Sequence, residues 1–424
     1  MKGANGLITT NNRRPKLGAQ RARGTLALLV AALLCVTGLN PAHAERTSAA
    51  FAATLGEAER EPFQAYIIAQ SRYADSLNTY WRAVDDKRNA RKRKKGANQA
   101  LVSADYVLTF PPVYAGPTLT PELAKRWAAF QESKEAEGPP PKPKPGLQDF
   151  LDNARTQFDF VPERIPEREF KLRYAREALA LGLTKEQVVR IYALETSGLG
   201  TAEMVAGIHP IKKTGTPISS AIGYSQLLAA NSVSELVASG AAFVDRLQKL
   251  SVSASIGFER AALVSLKIDS LKRMVAAARS VPNNWDQHRA YARTAKGMGI
   301  HAINLDGDIG PWLQVVKLKG LRETAVRKGI PQLAGAEIEL MNLAGPMTGI
   351  EMMRPAGRKV PTTNFFERQA YNTNTIVRGK TAEELITALD QRMDENIKNA
   401  GAIEFNEVFD QALAERQGGA TAAQ

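Results

Sequence analysis

The pattern of apolar and polar positions along this chain is mostly helical. Apolar residues recur at spacings of three and four, which places them on one face of a helix. Segments with this spacing are 50–90, 167–181, 184–195, 224–230, 232–239, much of 240–280, 333–343 and 382–398. Alternating patterns typical of strands are few. The pattern therefore predicts a mainly α fold.

Breaks in this pattern divide the chain into regions. The proline-rich segment 137–147 is typical of an extended linker between domains. It predicts a smaller helical N-terminal region at 45–136 and a larger helical domain at 148–416. The tail at 417–424 is rich in Ala, Gly and Gln, and we expect it to be disordered.

The N-terminus has the pattern of an export signal. Residues 1–24 contain six Lys or Arg and no acidic residue, an apolar run follows from Thr25 to about Leu39, and Ala42-His43-Ala44 fits the small-x-small cleavage rule. The apolar run is shorter than the roughly 20 residues of a membrane span. A signal peptide at 1–44 and a periplasmic protein are therefore predicted, with an uncleaved anchor as the alternative.

The net charge of +13 is concentrated in two places. The six basic residues of the leader and the seven between Lys87 and Lys95 account for all of it, so the remaining chain is near neutral. A basic run is usually a solvated helix end or loop, and the functional alternative is binding to an anionic envelope surface. Because export is predicted, nucleic acid is not an expected partner. The oligomeric state is not predicted.

One predicted helix carries a carboxyl group in a setting that favours its protonated form. Thr184 and Gln187 have the spacing of a capping box, Glu195 lies on the apolar stripe of the helix, and Gly198 can end it in a left-handed conformation. Desolvation and the negative end of the helix dipole both raise the pKa of an acid. Glycosidic cleavage needs such an acid, because the leaving sugar oxygen must receive a proton.

A second motif follows about thirty residues after Glu195 and reads Gly223-Tyr224-Ser225-Gln226-Leu227-Leu228. Together with Glu195-Thr196-Ser197-Gly198, it resembles the core motifs of the soluble, goose-lysozyme-like lytic transglycosylases, Glu-Ser-Gly followed by Gly-Leu-Met-Gln-Leu. The resemblance covers a small part of the chain. It implies a lysozyme-like helical domain that cleaves peptidoglycan glycan strands between N-acetylmuramic acid and N-acetylglucosamine and forms 1,6-anhydro-muramic ends.

The resemblance also implies roles for individual residues. Glu195 is expected to act as both acid and base, while the N-acetyl group of the substrate stabilises the developing cation. Neither a metal nor another cofactor is therefore expected. Gln226 is expected to bond Glu195 or the substrate. The expected sugar-contacting residues are Ser197, Gly223, Tyr224, Gln226, Asn342 and Tyr371.

The third motif of the family, Tyr-Asn near Ala-Gly-Pro, has two candidate counterparts. Asn342 precedes Ala344-Gly345-Pro346 with Leu343 as an extra residue, whereas Tyr371-Asn372 offers the aromatic residue without Gly-Pro. Both are farther from Glu195 along the chain than the family spacing. That distance implies a helical insertion between about 240 and 330.

Other interpretations of these residues stay open. Gly223 could be a simple tight turn, Gln226 a surface amide and Glu203 a solvated charge. The fold could also serve a non-catalytic glycan-binding envelope scaffold. A lysozyme-type hydrolase is a further alternative, with Asp306 or Asp308 as its second carboxylate. The chain has no His-Glu-x-x-His motif and no cysteine pair, so a metal site is not expected.

Overall fold

The computed structural model describes residues 41–135, 143–254 and 256–421. Within these ranges the chain forms seventeen α-helices and no strand, with only isolated β-bridges. The predicted mainly α class is confirmed. Most of the predicted signal peptide (1–40) and of the predicted linker (137–142) lies outside the described residues.

Two compact units make up the fold, and the smaller one contains the chain up to Leu77 together with Pro112–Pro139. Its helices are α1 (Pro41–Ala52), the first part of α2 (Glu57–Gly96) and α3 (Pro121–Glu135). Aromatic rings form its core: the Phe51 ring centroid lies 5.0 Å from that of Phe63 and 4.9 Å from that of Trp127. The apolar face predicted for the first long helix is thus buried.

The larger unit contains Asn78–Pro111 and Pro140–Gln424. Its helices after α2 are α4 (Leu147–Phe158), α5 (Glu167–Ala180), α6 (Lys185–Thr196), α7 (Ala229–Ser251), α8 (Phe258–Arg279), α9 (Trp285–Tyr291), α10 (Ala295–His301), α11 (Gly310–Arg327), α12 (Gly335–Ala344), α13 (Pro346–Met353), α14 (Pro355–Arg358), α15 (Arg368–Thr373), α16 (Ala382–Asn396) and α17 (Ala400–Thr421). Helix α6 packs against α12, α16 and α17. These contacts position the site described below.

The division into units differs from the predicted one, because Asn78–Pro111 belongs to the larger unit. The basic run supplies the reason. Arg91 is buried, and it donates from Nε to Glu351 at 2.8 Å and from Nη2 to the Asn364 carbonyl oxygen at 2.6 Å. The other members of the run that are bonded within this unit are Lys87, Arg88, Lys94 and Lys95. Most of the run thus stabilises the fold, and its binding to an anionic surface stays a prediction.

Two predicted element boundaries are wrong. The short helices expected at 224–230 and 232–239 are replaced by a loop and by the single helix α7, in which Ser232 is buried and bonds His301 Nδ1 at 2.8 Å. The tail expected to be disordered from 417 continues α17 as far as Thr421. The region 240–330 is largely helical, as expected.

In the part of the chain that the structure describes, no helix is both long enough and apolar enough to cross a membrane.

Candidate functional site

Helix α6 begins as the sequence predicted. The Gln187 N–H donates to Thr184 Oγ1 at 3.2 Å, and the Thr184 N–H donates to Gln187 Oε1 at 3.1 Å. This reciprocal capping box satisfies two donors that a helix N-terminus would otherwise leave unpaired. Gln187 Nε2 also donates to the Leu333 carbonyl oxygen at 2.8 Å, which joins the start of α6 to the segment before α12.

The end of helix α6 is fixed by two residues with left-handed backbone. Ser197 has φ 54° and Gly198 has φ 62°. A Cβ on Gly198 would clash with the Asn396 carbonyl oxygen, so glycine is required for close packing as well as for its backbone angle. Asn399 Nδ2 donates to the Ser197 carbonyl oxygen at 2.8 Å. The last turn of α6, which carries Glu195, is therefore held by the junction of α16 and α17.

Glu195 projects from this turn toward helix α12. Its Oε1 accepts a hydrogen bond from Asn342 Nδ2 at 3.1 Å, across 147 residues of sequence. Its carboxyl group also lies within hydrogen-bonding distance of the Glu339 carboxyl group. The fold thus brings together the predicted acid, one residue of the predicted third motif and an unpredicted second acid.

The electrostatics of this cluster favour protonated carboxyl groups. Burial raises the pKa of Glu195 to about 7, and the hydrogen bonds from Glu339 and Asn342 partly oppose the rise. Burial and repulsion from Glu195 raise the pKa of Glu339 well above its usual value. Near neutral pH the pair therefore holds at least one proton, because two adjacent buried carboxylates repel each other.

Sequence reasoning missed Glu339, although it left a signal. Glu339 and Asn342 are three residues apart on α12 and so share one face of the helix. Asn342 Nδ2 lies 3.5 Å from each Glu339 carboxyl oxygen. Glu339 is only 3% exposed, which is rare for an ionisable side chain without a cationic partner. An acid inside the apolar stripe of 333–343 was the available clue.

The second predicted motif forms a tight hydrogen-bonded loop. Ile222 and Leu227 exchange backbone hydrogen bonds of 3.1 and 3.0 Å, and Gly223 has φ 77°. A Cβ on Gly223 would lie 2.6 Å from Gln314 Nε2, so this glycine serves a turn packed closely against α11. The loop is where the motif was expected, with Gly223 in a structural role.

Tyr224 is a core residue, which corrects its prediction as a sugar contact. Its side chain is 1% exposed, and its hydroxyl group donates to Glu167. Its ring centroid lies 4.8 Å from that of Tyr192 on α6 and 5.5 Å from that of Phe405 on α17. Tyr224 therefore holds the second motif against the helix that carries Glu195, and its side chain is not available to a ligand.

Gln226 also differs from its predicted role. Its Nε2 donates to the Gly223 carbonyl oxygen at 2.9 Å and to the Met204 carbonyl oxygen at 3.2 Å. Both of its amide protons are used in stabilising the loop, in which Gln226 adopts a left-handed φ of 42°. Among the described residues, no hydrogen bond joins Gln226 to Glu195.

The other predicted contacts lie in different settings. Ser197 is exposed at the end of α6, two residues from Glu195. Tyr371 is buried, its ring stacked edge-on against Trp81 at 5.6 Å, and its hydroxyl oxygen accepts from the Gly379 N–H at 2.9 Å. Of the two candidates for the third motif, Asn342 donates a hydrogen bond to Glu195, whereas the hydrogen bond and ring contact of Tyr371 join it to Gly379 and Trp81.

The aspartates considered as a second catalytic carboxylate belong to a buried charge network. Lys267 Nζ lies 2.9 Å from Asp306 and 2.6 Å from Asp308, and Asp308 also pairs with Arg173 and Arg260 at 2.8 Å. Asp306 Oδ1 accepts the Asp308 N–H at 3.0 Å, which closes a turn at Gly307. These carboxylates stabilise a loop through paired charges.

No group of three or more His, Cys, Asp or Glu in the described ranges is arranged to hold a metal ion. What the cluster can do chemically is donate and accept protons. Burial raises the pKa of Glu195 to about 7, so its carboxyl group can both donate and accept a proton near neutral pH, and Asn342 donates a hydrogen bond to its Oε1. Comparison with protein-family models, curated proteins and solved structures finds no match to this chain.

Proposed function

We propose that this protein is a peptidoglycan lytic transglycosylase in which Glu195 is the single acid and base. The observation that carries the proposal is the cluster of Glu195, Asn342 and Glu339. Two motifs chosen from the sequence alone, 147 residues apart, meet in a hydrogen bond at a carboxyl group whose pKa is raised to about 7 by burial. A general acid works best when its pKa is near the working pH.

The proposed reaction needs one carboxyl group in two protonation states. Glu195 donates its proton to the glycosidic oxygen as the bond between that oxygen and C1 of N-acetylmuramic acid breaks. The resulting carboxylate then accepts the proton of the C6 hydroxyl group of the same sugar, and O6 bonds to C1. The acid is regenerated, the product carries a 1,6-anhydro ring, and no water is consumed. Asn342 holds the Glu195 carboxyl group in both states.

The position of Glu339 supports this one-acid reaction over hydrolysis. The two carboxyl groups of a retaining glycosidase are about 5 Å apart and those of an inverting one about 6.5–9.5 Å, because the sugar or a water lies between them. Glu339 is hydrogen-bonded to Glu195, so no sugar fits between the two. Asp306 and Asp308, the other candidates, are neutralised by Lys267 and arginines.

Glu339 then acts as a positioning residue. Because its pKa lies well above the usual range, it keeps its proton when Glu195 is ionised and can donate a hydrogen bond to the carboxylate. The substrate would be a glycan strand of the cell wall, and the chain would be exported to the periplasm by the leader at 1–44. The lysozyme-like arrangement of α4–α17 is part of the same proposal.

Digestion of purified sacculi, with the soluble products weighed by mass spectrometry, tests the proposal. Wild type is expected to release muropeptides with 1,6-anhydro ends, which are lighter by one water than the hydrolytic products. Reducing ends would instead indicate lysozyme-type hydrolysis. Binding to sacculi with no release of sugar would favour the glycan-binding scaffold. Either result would overturn the proposed reaction.

A further inference from the structure

A cavity lies in the larger unit, and its lining includes no residue of the Glu195 cluster. It has a volume of about 780 Å³, within the range of small-molecule sites in proteins. The segment after α2, the C-terminal end of α11 and the helices α13 and α14 form its walls. None of the residues assigned to the glycan reaction lines it.

Part of the cavity wall is apolar and uncovered. Val102 is 53% exposed and Met347 is 47% exposed. Leu101, Ile350 and Ala356 continue the same wall. Since exposed aliphatic side chains gain free energy when a ligand covers them, this wall suits an aliphatic group. Methionine adapts its shape to different ligands.

The charge of the cavity is positive. Glu351 is the only acidic residue of its lining, and it is already paired with Arg91 and Lys95. Two more cations, Lys328 and Arg354, line the opening, and within the described residues neither forms an ion pair. Arg354 Nη2 donates to the Lys328 backbone carbonyl oxygen at 2.9 Å, which fixes the Arg354 guanidinium beside the Lys328 backbone. A ligand therefore meets an excess of positive charge beside an apolar wall.

We infer that this cavity binds a small amphipathic carboxylate, with its acid group at Lys328 and Arg354 and its aliphatic part against Val102 and Met347. An arginine guanidinium suits a carboxylate because it can donate two parallel hydrogen bonds. Both an acyl chain and the carboxyl end of an apolar peptide have this chemistry. The inference does not depend on the glycan reaction.

Calorimetric titration of the full chain tests this inference with two probes, octanoate and N-acetyl-leucyl-leucine. Their neutral controls are octanamide and the dipeptide amide. Acetate, which has the carboxylate without a long aliphatic part, is the control for the contribution of the apolar wall. We expect one of the two acids to bind at least about fivefold more tightly than both its amide and acetate. The probe with the larger preference identifies the source of the carboxylate. Equal binding of acid and amide, or of acid and acetate, would overturn the inference.

Variants place the binding in the cavity. The double variant Lys328→Gln with Arg354→Gln is expected to reduce the affinity for the preferred acid about three- to tenfold and to leave the affinity for its amide unchanged. Met347→Asp should reduce the affinity for the acid more than the double variant does, because it puts a negative charge on the apolar wall. Lys398→Gln, an exposed cation outside the cavity, is the matched control and should change nothing. Unchanged binding in the double variant would contradict the assignment, and because all four positions are exposed, folding is not at risk.

Discussion

At the scale of single residues, the site depends on how a few polar groups share one proton. Glu195 and Glu339 are both desolvated, and Asn342 donates to Glu195. Burial, the neighbouring carboxyl group and the Asn342 amide each shift the pKa of a carboxyl group in a definite direction. Measurements of activity and stability as a function of pH can test these directions.

Replacing Asn342 by Ala should move the pH dependence of activity. The Asn342 hydrogen bond lowers the pKa of Glu195, so its loss raises that pKa. In the proposed reaction activity requires protonated Glu195, so it should fall as pH rises above about 7 in the wild type. In Asn342→Ala this fall should occur at higher pH, by up to about one unit. Rates of muropeptide release from pH 5 to 9 measure it.

Asn399→Ala is the control for this shift. Asn399 bonds the backbone at the end of the same helix and not the carboxyl group. The variant should lose some stability and keep the wild-type pH dependence. If activity fell at the same pH in Asn342→Ala and in wild type, Asn342 would not influence the pKa of Glu195.

Replacing Glu339 by Gln should stabilise the protein at high pH. The pKa of Glu339 is raised in the folded state, so the folded state binds its proton more tightly than the unfolded state does. The stability that this proton provides is complete below the unfolded pKa and is lost as pH rises through the folded pKa. Glu339→Gln removes that loss. Its free energy of unfolding should be near that of wild type at pH 5 and higher than that of wild type at pH 8, because only the wild type has a carboxyl group whose pKa is raised by folding.

Chemical denaturation at the two pH values checks this difference. Glu407→Gln removes an exposed carboxylate of α17 and serves as the control, with no pH-dependent gain expected. If Glu339→Gln gained as much free energy of unfolding at pH 5 as at pH 8, the gain would not come from the raised pKa of Glu339.

At the scale of elements, the position of Glu195 depends on where α6 ends. Gly198 adopts φ 62°, and its Cα hydrogens face the Asn396 carbonyl oxygen at the end of α16. Helix α6 can approach α16 and α17 only because there is no side chain at this position.

Gly198→Ala should therefore be more destabilising than an ordinary glycine substitution. Gly329 is the matched control, because it has φ 82° but open space around its Cα. Gly329→Ala should cost about 1 kcal/mol from backbone strain alone, and Gly198→Ala about 2 kcal/mol more, since the new methyl group also clashes with backbone. Thermal unfolding of the two variants measures the difference. Equal losses would contradict the packing argument.

Local patterns predicted α6 well because its signals lie within one helix. The capping box at Thr184 and Gln187 and the left-handed Gly198 are both observed. A helix was predicted at 224–230 from the helical spacing of its apolar residues, but the structure forms a loop there as far as Leu228. Tyr224 and Leu227 are buried there by neighbouring elements and not by a helix face. Periodicity alone does not distinguish the two cases.

At the scale of the whole molecule, the sequence predicted the helical class and left the division into units partly wrong. The basic run from Lys87 to Lys95 read as a solvated segment, yet Arg91 is buried against Glu351 and Asn364. Glu351 and Asn364 lie more than 250 residues away from Arg91 in the sequence, so no local pattern could reveal these two contacts. Glu339 left a local clue, an acid inside the apolar stripe of 333–343, but its contact with Glu195 is long-range and could not be read from that stripe.

The contact between Glu195 and Asn342 is the strongest link between sequence and fold. Both residues were selected from separate motifs, and folding joins them at 3.1 Å. Tyr224 and Gln226 belong to the second motif, and their side-chain hydrogen bonds are made within the protein. Substitution of Glu195 or Asn342 is therefore expected to reduce activity, and substitution of Tyr224 or Gln226 is expected to reduce stability.

The most direct test compares two isosteric variants of adjacent carboxyl groups, Glu195→Gln and Glu339→Gln, in one assay of anhydro-muropeptide release from sacculi at pH 6. Glutamine cannot donate a proton to a leaving oxygen, so Glu195→Gln should lower the rate by about 100-fold or more. Glutamine does reproduce the hydrogen bond of protonated Glu339, so Glu339→Gln should stay within about tenfold of wild type. Full activity in Glu195→Gln, or a greater loss in Glu339→Gln, would contradict the assignment of Glu195 as the acid.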